Sequence, residues 1–257
     1  MSLSNSILNL YKSARDLFTP VQTNFEKVKI FNRVGDVERP KGTESYLRLY
    51  KNRLDFLSEE VEELHQAISD DDKIEYRDAL ADMLYIAYGT ADILAIDIDF
   101  AIVEHIYSYN ELLSFTVNNF TRTQTNCDLL RGRYVPLPPS VYEDQYRGFI
   151  KEFEDIESSG KLYELENLLV RFIVHTYCHA LSMGIDIDKD FDAVHTSNMT
   201  KFCKTLDEVE KSIKLQLETK GRECYHIYNS EHKLYVIKIK GSDKITKGIN
   251  YEPPVLN

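Results

Sequence analysis

The chain is short of cysteine, of positive charge and of long apolar runs. Its four cysteines, Cys127, Cys178, Cys203 and Cys224, have neither CxxC spacing nor the density of a disulfide scaffold. That sets aside disulfide-stapled folds and points to free thiols in a reducing cytoplasm. Lysine and arginine number 31 against 42 aspartates and glutamates, a formal net charge of −11. Such a balance argues against an extended nucleic-acid-binding face and leaves room only for small basic clusters. No apolar run reaches the roughly 18 residues of a membrane span. The first residues, MSLSNSILNLYKSARDLF, do not read as a charged-then-apolar signal peptide. GxGxxG, GxxxxGKS/T and GxSxG are all missing, so Rossmann, P-loop and serine-hydrolase readings have no support.

What is present is helical periodicity. The 257 residues are 43% hydrophobic and 28% charged, an ordinary globular composition. Residues 1 to about 50 carry turn signals, notably Arg39-Pro40-Lys41-Gly42. Leu54, Leu57, Val61, Leu64 and Ile68 then recur at three- and four-residue steps and predict a helix. A polar break at Asp70-Asp71-Asp72 separates it from a strongly apolar helix over about residues 75–96, and a third helix is expected over about 100–115. Residues 126–140, with Pro136-Leu137-Pro138-Pro139, read as a linker. Further helices are expected at about 142–157, 162–183 and 189–218, and residues 225–239 read as a β-hairpin turning at 229–232.

Two of these helices carry carboxylates where an apolar face is expected. On the first, Glu60 borders the apolar stripe and Glu63 and Glu59 lie further round the same side, while Glu62 falls on the other side as a solvated residue. On the second, Glu75, Asp78 and Asp82 share one sector at i, i+3 and i+7. Aspartate is a poor helix former, and a buried carboxylate needs a cation. The bland alternative is a pair of solvated faces paired with Arg48, Lys51, Arg53 or Arg77. If the helices pack antiparallel, the acidic faces converge, and hard oxygen ligands of this kind suit Mg2+ or Mn2+ bridging to phosphates.

The tetrapeptide Ile96-Asp97-Ile98-Asp99 recurs at residue 185, 89 positions on, as Ile185-Asp186-Ile187-Asp188. In both places an apolar helix leads into it, which suggests a duplication. At that offset Glu75 maps to Glu164, Asp78 to Asn167 and Asp82 to Arg171, and upstream Glu59 maps to Glu152 across a shorter loop. The second copy has therefore lost most of the acidic set. The expected organisation is a first half over residues 1–125, a linker over 126–140, a degenerate second half over 141–220 and a hairpin tail over 221–257. His175, Cys178 and His179 have a spacing that could bind zinc, but no further ligand has a matching one.

EExxE followed by an acidic helix resembles the all-α nucleoside triphosphate pyrophosphohydrolases, a group that includes MazG and the phosphoribosyl-ATP pyrophosphohydrolases. The phage-type MazG-like proteins are the closer match. Asn24-Phe25-Glu26-Lys27-Val28 with Phe31, Gly35 and Pro40 looks like their lead-in. Asp78-Ala79-Leu80-Ala81-Asp82 with Tyr85 and Tyr88 looks like their central helix. Val194 to Lys201 resembles their VHxSNMSK segment, and Lys244 to Lys247 with Tyr251-Glu252-Pro253-Pro254 resembles their end. One departure is Ala79, which stands where MazG carries the first part of its second acidic motif.

The resemblance implies an all-α, MazG-like bundle of two tandem related halves with a C-terminal hairpin. It implies Mg2+-dependent (or Mn2+-dependent) hydrolysis of a nucleoside triphosphate to a monophosphate and pyrophosphate. Glu59 or Glu60 would act as general base, and Glu59, Glu60, Glu63, Asp78 and Asp82 would hold metal. His195, Asn198, Lys201, Lys244, Lys247 and Asn24 would bind substrate. A composite site is expected, with metal ligands from one half and the His-Asn-Lys patch from the other. The chain would be a monomeric pseudo-dimer or a homodimer, without membrane or extended nucleic-acid partners, in the cytoplasm (a host's, if phage-encoded). The alternatives are a nucleotide-binding regulator that has lost turnover, or the same chemistry restricted to dUTP or phosphoribosyl-ATP.

Overall fold

The computed structural model describes residues 22–106, 137–242 and 244–256. Helix α1 (Asn24–Val34) opens the described chain, capped by Thr23, whose hydroxyl accepts from the Glu26 amide at 3.1 Å while the Glu26 carboxylate accepts from the Thr23 amide. It lies within the stretch expected as turns. Its C-terminal carbonyls of Arg33 and Val34 accept from Asn229 Nδ2, each at 3.0 Å, so a residue of the distant hairpin completes the helix.

Helices α2 (Thr43–Ser69) and α3 (Lys73–Ile93) form an antiparallel pair across the acidic break. Asp72 caps α3 by accepting from the amides of Ile74 and Glu75 at 3.0 and 3.1 Å. Beyond its first turn α3 is buried nearly all round, because its apolar residues are not confined to one stripe. It packs on α1 and α2 and on two helices from the second half of the chain.

Helix α4 (Ile98–Ile106) follows; the rest of the helix expected to 115 lies outside the described residues. So does most of the expected linker, whose end is helical from Pro139 in α5 (Pro139–Glu143). Helix α6 (Tyr146–Ser159), a 3-10 turn (Leu162–Glu164) and α7 (Leu165–Ser182) then lead to α8 (Ile187–Met199). The single helix expected over 189–218 is two, because the chain breaks after α8 and restarts at α9 (Leu206–Lys220). In the break, Cys203 and Tyr235 exchange backbone hydrogen bonds of 2.9 and 2.8 Å, and Thr205 and Glu208 form a new capping box. Strands β1 (Cys224–Asn229) and β2 (Leu234–Ile239) make the C-terminal hairpin, with Cys224 opposite Ile239 and Asn229 opposite Leu234. No single helix among the described residues is long and apolar enough to cross a membrane.

The two Ile-Asp-Ile-Asp turns have the same construction. Ile96 N donates to Ala91 O at 2.8 Å and Ile185 N to Ala180 O at 2.9 Å, around Ala95 (φ 59°) and Gly184 (φ 69°) in the left-handed region. Helix α8 packs on α3 and α4 packs on α7, so each half covers the other's central helix. Tyr88 and Tyr177, which stand 89 positions apart, meet through hydroxyls 3.3 Å from one another. One core runs through both sets of helices.

Arg77 of α3 ties the two sets together through a two-pronged pair with the buried Asp190 of α8, Nε to Oδ2 at 2.8 Å and Nη2 to Oδ1. Removing the arginine leaves a carboxylate uncompensated in the core. Arg77→Ala is therefore expected to cost about 3–5 kcal/mol of stability in chemical denaturation; a loss below about 1 kcal/mol, the range of an exposed pair, would contradict the pair's placement.

Candidate functional site

A cleft of about 230 Å³ opens between α1, α2, α3, the end of α8 and the strand β2 with its following segment. Glu60 and Asp82 line it together with Asn198, Lys201 and Lys244. The helical faces deliver this directly. Glu60 lies one turn after Phe56 on the side of α2 that meets α3, and Asp82 lies one turn after Asp78 on the facing side of α3.

The carboxylates are crowded and poorly solvated. Burial, then Asp82 and Glu63, raise Glu60 well above the ordinary carboxylate range; Glu63 also shares a hydrogen bond with it. Burial and Asp78 raise Asp82, and burial and Glu75 push Asp78 up to about 6. Glu60 Oε2 and Asp78 Oδ1 are buried with no hydrogen-bond partner. An acceptor left in that state costs about 1–3 kcal/mol, more when charged. None of the cations that could have made these faces ordinary does so. Arg77 pairs with Asp190, Arg48 with Glu38, and Lys51 with Asp55 and Glu157. Among the described residues Arg53 bonds to Thr90 and the Ile86 carbonyl.

Among the described residues, no three His, Cys, Asp or Glu side chains stand close enough to hold an ion between them. Mg2+ rarely uses an all-protein cage; it keeps waters and binds through one or two carboxylates plus substrate phosphates. The orphaned Glu60 Oε2 in the cleft beside Asp82, with Asp78 Oδ1 orphaned one turn before Asp82 on α3, fits an ion of that kind.

The cations come from the far end of the chain. Lys201 follows α8, where burial lowers its pKa while Asp82 works against that; Nζ lies 6.0 Å from the Phe31 ring centroid. Asn198 bonds to the Tyr85 hydroxyl, and His195 Nδ1 stands 3.1 Å from the same hydroxyl. Burial brings His195 down to about 4, so it is a neutral ring orienting Tyr85 from behind the cleft. Lys244 reaches Glu59 at 3.1 Å and crosses the Phe56 ring. Lys247 lies over Tyr251 at 4.3 Å and acts on Asp78 and Asp82 through its charge. The segment carrying both lysines is fixed by Thr246 N to Ile237 O at 3.0 Å and by Gln216 Nε2 to Lys247 O at 2.8 Å.

The remaining expected residues lie elsewhere. Asn24 faces the second half of the chain, donating to Tyr177 Oη at 2.9 Å and Asp188 Oδ1 at 2.6 Å, and does not line the cleft. Glu59 and Glu63 are exposed at its edge, and Glu62 points away to Arg147. Both ring nitrogens of His179 face tyrosines, Tyr76 and Tyr146, and His175 meets the Tyr142 carbonyl, which leaves the zinc reading without a ligand set. At the positions matched to Asp82 and Glu59, Arg171 and Glu152 neutralise each other through bonds of 2.7 and 3.0 Å. Sequence reasoning overlooked Asn32, Asn52, Arg53 and Phe56 as cleft residues. Arg53 and Phe56 stand seven and four positions before Glu60, the same helical face.

Residues 30–106 match the family model for phosphoribosyl-ATP pyrophosphohydrolase. That span holds all five carboxylates and ends before Asn198, Lys201 and Lys244. An uncharacterized protein of Acanthamoeba polyphaga mimivirus is 29% identical over 258 residues, covering 90% of this chain and 96% of that one. No solved structure matches.

Carboxylates raised in the folded state keep protons that the unfolded chain has released. Stability without metal should therefore fall as pH rises from about 4 through the raised values. A divalent cation that takes over from those protons gains affinity over the same range. Thermal unfolding with and without Mg2+ should show a stabilisation that is larger near pH 8 than near pH 5 and lost in Asp82→Asn. A shift that ignores pH, or survives that substitution, would contradict the assignment.

Proposed function

We propose that this chain, whose residues 30–106 match the phosphoribosyl-ATP pyrophosphohydrolase family model, cleaves nucleoside triphosphates to monophosphates and pyrophosphate in a Mg2+-dependent reaction, as the MazG-like all-α pyrophosphohydrolases it resembles do. The observation that carries this reading is the cleft itself. Glu60, with its orphaned Oε2, and Asp82 line one cleft with Lys201, which forms no ion pair among the described residues. Glu60, Glu63, Asp78 and Asp82 would hold Mg2+ or Mn2+, with Glu59 at the rim. The metal supplies charge neutralisation of the triphosphate and a lowered pKa for a bound water.

Lys201 binds the departing pyrophosphate and offsets the charge that builds on it as the bond between the α- and β-phosphates breaks. Glu60, the glutamate that lines the cleft, takes the attacking water's proton. Asn198, beside the Tyr85 hydroxyl that His195 orients, presents its amide to the sugar or the phosphates. Lys244 leaves Glu59 to reach the substrate.

The chain is best read as a fused pair of related halves with one metal site. The Tyr88–Tyr177 meeting, the matching turns and the exchange of α4 and α8 support the pairing. The Arg171–Glu152 pair supports a second site that has given up its cation. Acidic residues from one half and Lys201 from the other then make one composite site.

A panel of (d)NTPs with Mg2+ should release pyrophosphate, and Glu60→Gln or Lys201→Ala should each lower kcat by about 10²-fold or more. Lys201→Ala should leave Mn2+ binding intact. Nucleotide binding with no pyrophosphate from any member would favour a regulator, and full turnover by Lys201→Ala would sink the composite site.

A further inference from the structure

Among the described residues Arg53 is a cation without a counter-ion. Nε donates to Thr90 Oγ1 at 3.2 Å and Nη2 to Ile86 O at 2.7 Å, both neutral acceptors on α3. Among the described residues no carboxylate pairs with it; the nearest acidic influence, Asp92, is bound by Arg39 and Asn32. Burial brings the guanidinium down to about 10. Gly89 makes the room: a Cβ there would stand 2.5 Å from Nη2. An unneutralised guanidinium that is half-buried is costly, and two bonds use two of its five N–H groups.

Arg53 also lines the cleft that holds Glu60 and Asp82. Arg53 precedes Glu60 by two helical turns, so it stands about 10 Å further along α2. That is the reach of a nucleoside, too far for the next phosphate of the same chain. The surroundings are apolar and aromatic: Val28, Phe31, Leu49, Phe56 and Ile86 line this end. The Phe56 ring centre lies 5.8 Å from the guanidinium carbon. Asn52 lines it too, with an amide that bonds to none of the described residues. A lining that combines the Phe31 and Phe56 rings with the Arg53 guanidinium and the Asn52 amide suits a planar heterocycle with a ring carbonyl next to an N–H.

We propose that Arg53 is the base-reading residue of the cleft, donating to a ring carbonyl oxygen of the nucleotide while the Asn52 amide pairs with the adjoining ring N–H. Guanine, hypoxanthine, uracil and thymine present that edge. Adenine has no ring carbonyl, and cytosine has no N–H beside its own. The inference rests on the nucleotide reading of the cleft and adds the class of base that it takes.

Inosine and adenosine monophosphate differ only at this edge. Neither carries a phosphoanhydride bond, so their binding reads the pocket whether or not the protein turns triphosphates over; pyrophosphate release from inosine triphosphate reports on turnover separately. By calorimetry the full chain should bind inosine monophosphate about tenfold or more tightly than adenosine monophosphate, the worth of one charge-assisted hydrogen bond. Arg53→Met should bring the ratio towards one. Because that change also loosens the contacts to Thr90 and Ile86, Asn52→Ala, whose amide has no partner to lose, serves as the second variant and should lower the ratio as well. Equal binding of the two nucleotides by the parent protein, binding of neither, or a ratio that both variants preserve would overturn the proposal.

Discussion

The structure turns on the burial of α3. A helix that is covered nearly all round must bring its polar residues to defined partners or leave them exposed to a designed opening. Arg77 is satisfied by Asp190, Tyr76 by His179 and Tyr88 by Tyr177. Among the described residues no cation forms an ion pair with Asp78 or Asp82, although Lys201 and Lys247 act on both through their charge, and Asp82 sits where α2 brings Glu60. The same apolar packing that makes the core thus concentrates negative charge at one edge of it. On the proposed function, a divalent ion would remove that repulsion, and the phosphates of a substrate would complete its shell.

The C-terminal hairpin and tail have a positional role in this arrangement. Asn229 finishes α1, and Lys238 donates to the carbonyl of Asp36 at 2.7 Å, which fixes the wall bearing Phe31 and Asn32. The same hairpin, through Cys203 and Tyr235, breaks the chain after α8 and leaves Lys201 beside Asp82 rather than in a continued helix. Lys201, 119 positions after Asp82, and Lys244, 185 after Glu59, therefore supply the positive side of the cleft.

Much of this was legible. The three- and four-residue steps of Leu54, Leu57, Val61 and Leu64 define α2, and sorting its glutamates by face separates Glu60, which lines the cleft, from Glu62, which meets Arg147. The alternation around Asn229 marks the hairpin. Other features depend on partners that periodicity does not report. Helix α1 is short and ends on a side chain from another element. The break at 200–205 is made by a strand pairing. Asn24 matches a motif, but its direction is set by Tyr177 and Asp188. Arg53 was weighed as a neutraliser of the glutamates, and only the packing of Gly89 shows that it lies beneath the cleft instead.

The central claim is that carboxylates of α2 and α3 and the lysine after α8 form one site. Crystals of the protein with Mn2+ and a non-hydrolysable nucleoside triphosphate test it most directly, through the anomalous signal of the metal. The account predicts manganese peaks at Glu60, Asp78 and Asp82, with the phosphates reaching Lys201. Manganese beside Glu152, Asn167 and Arg171, or phosphates that bind away from Lys201, would contradict it.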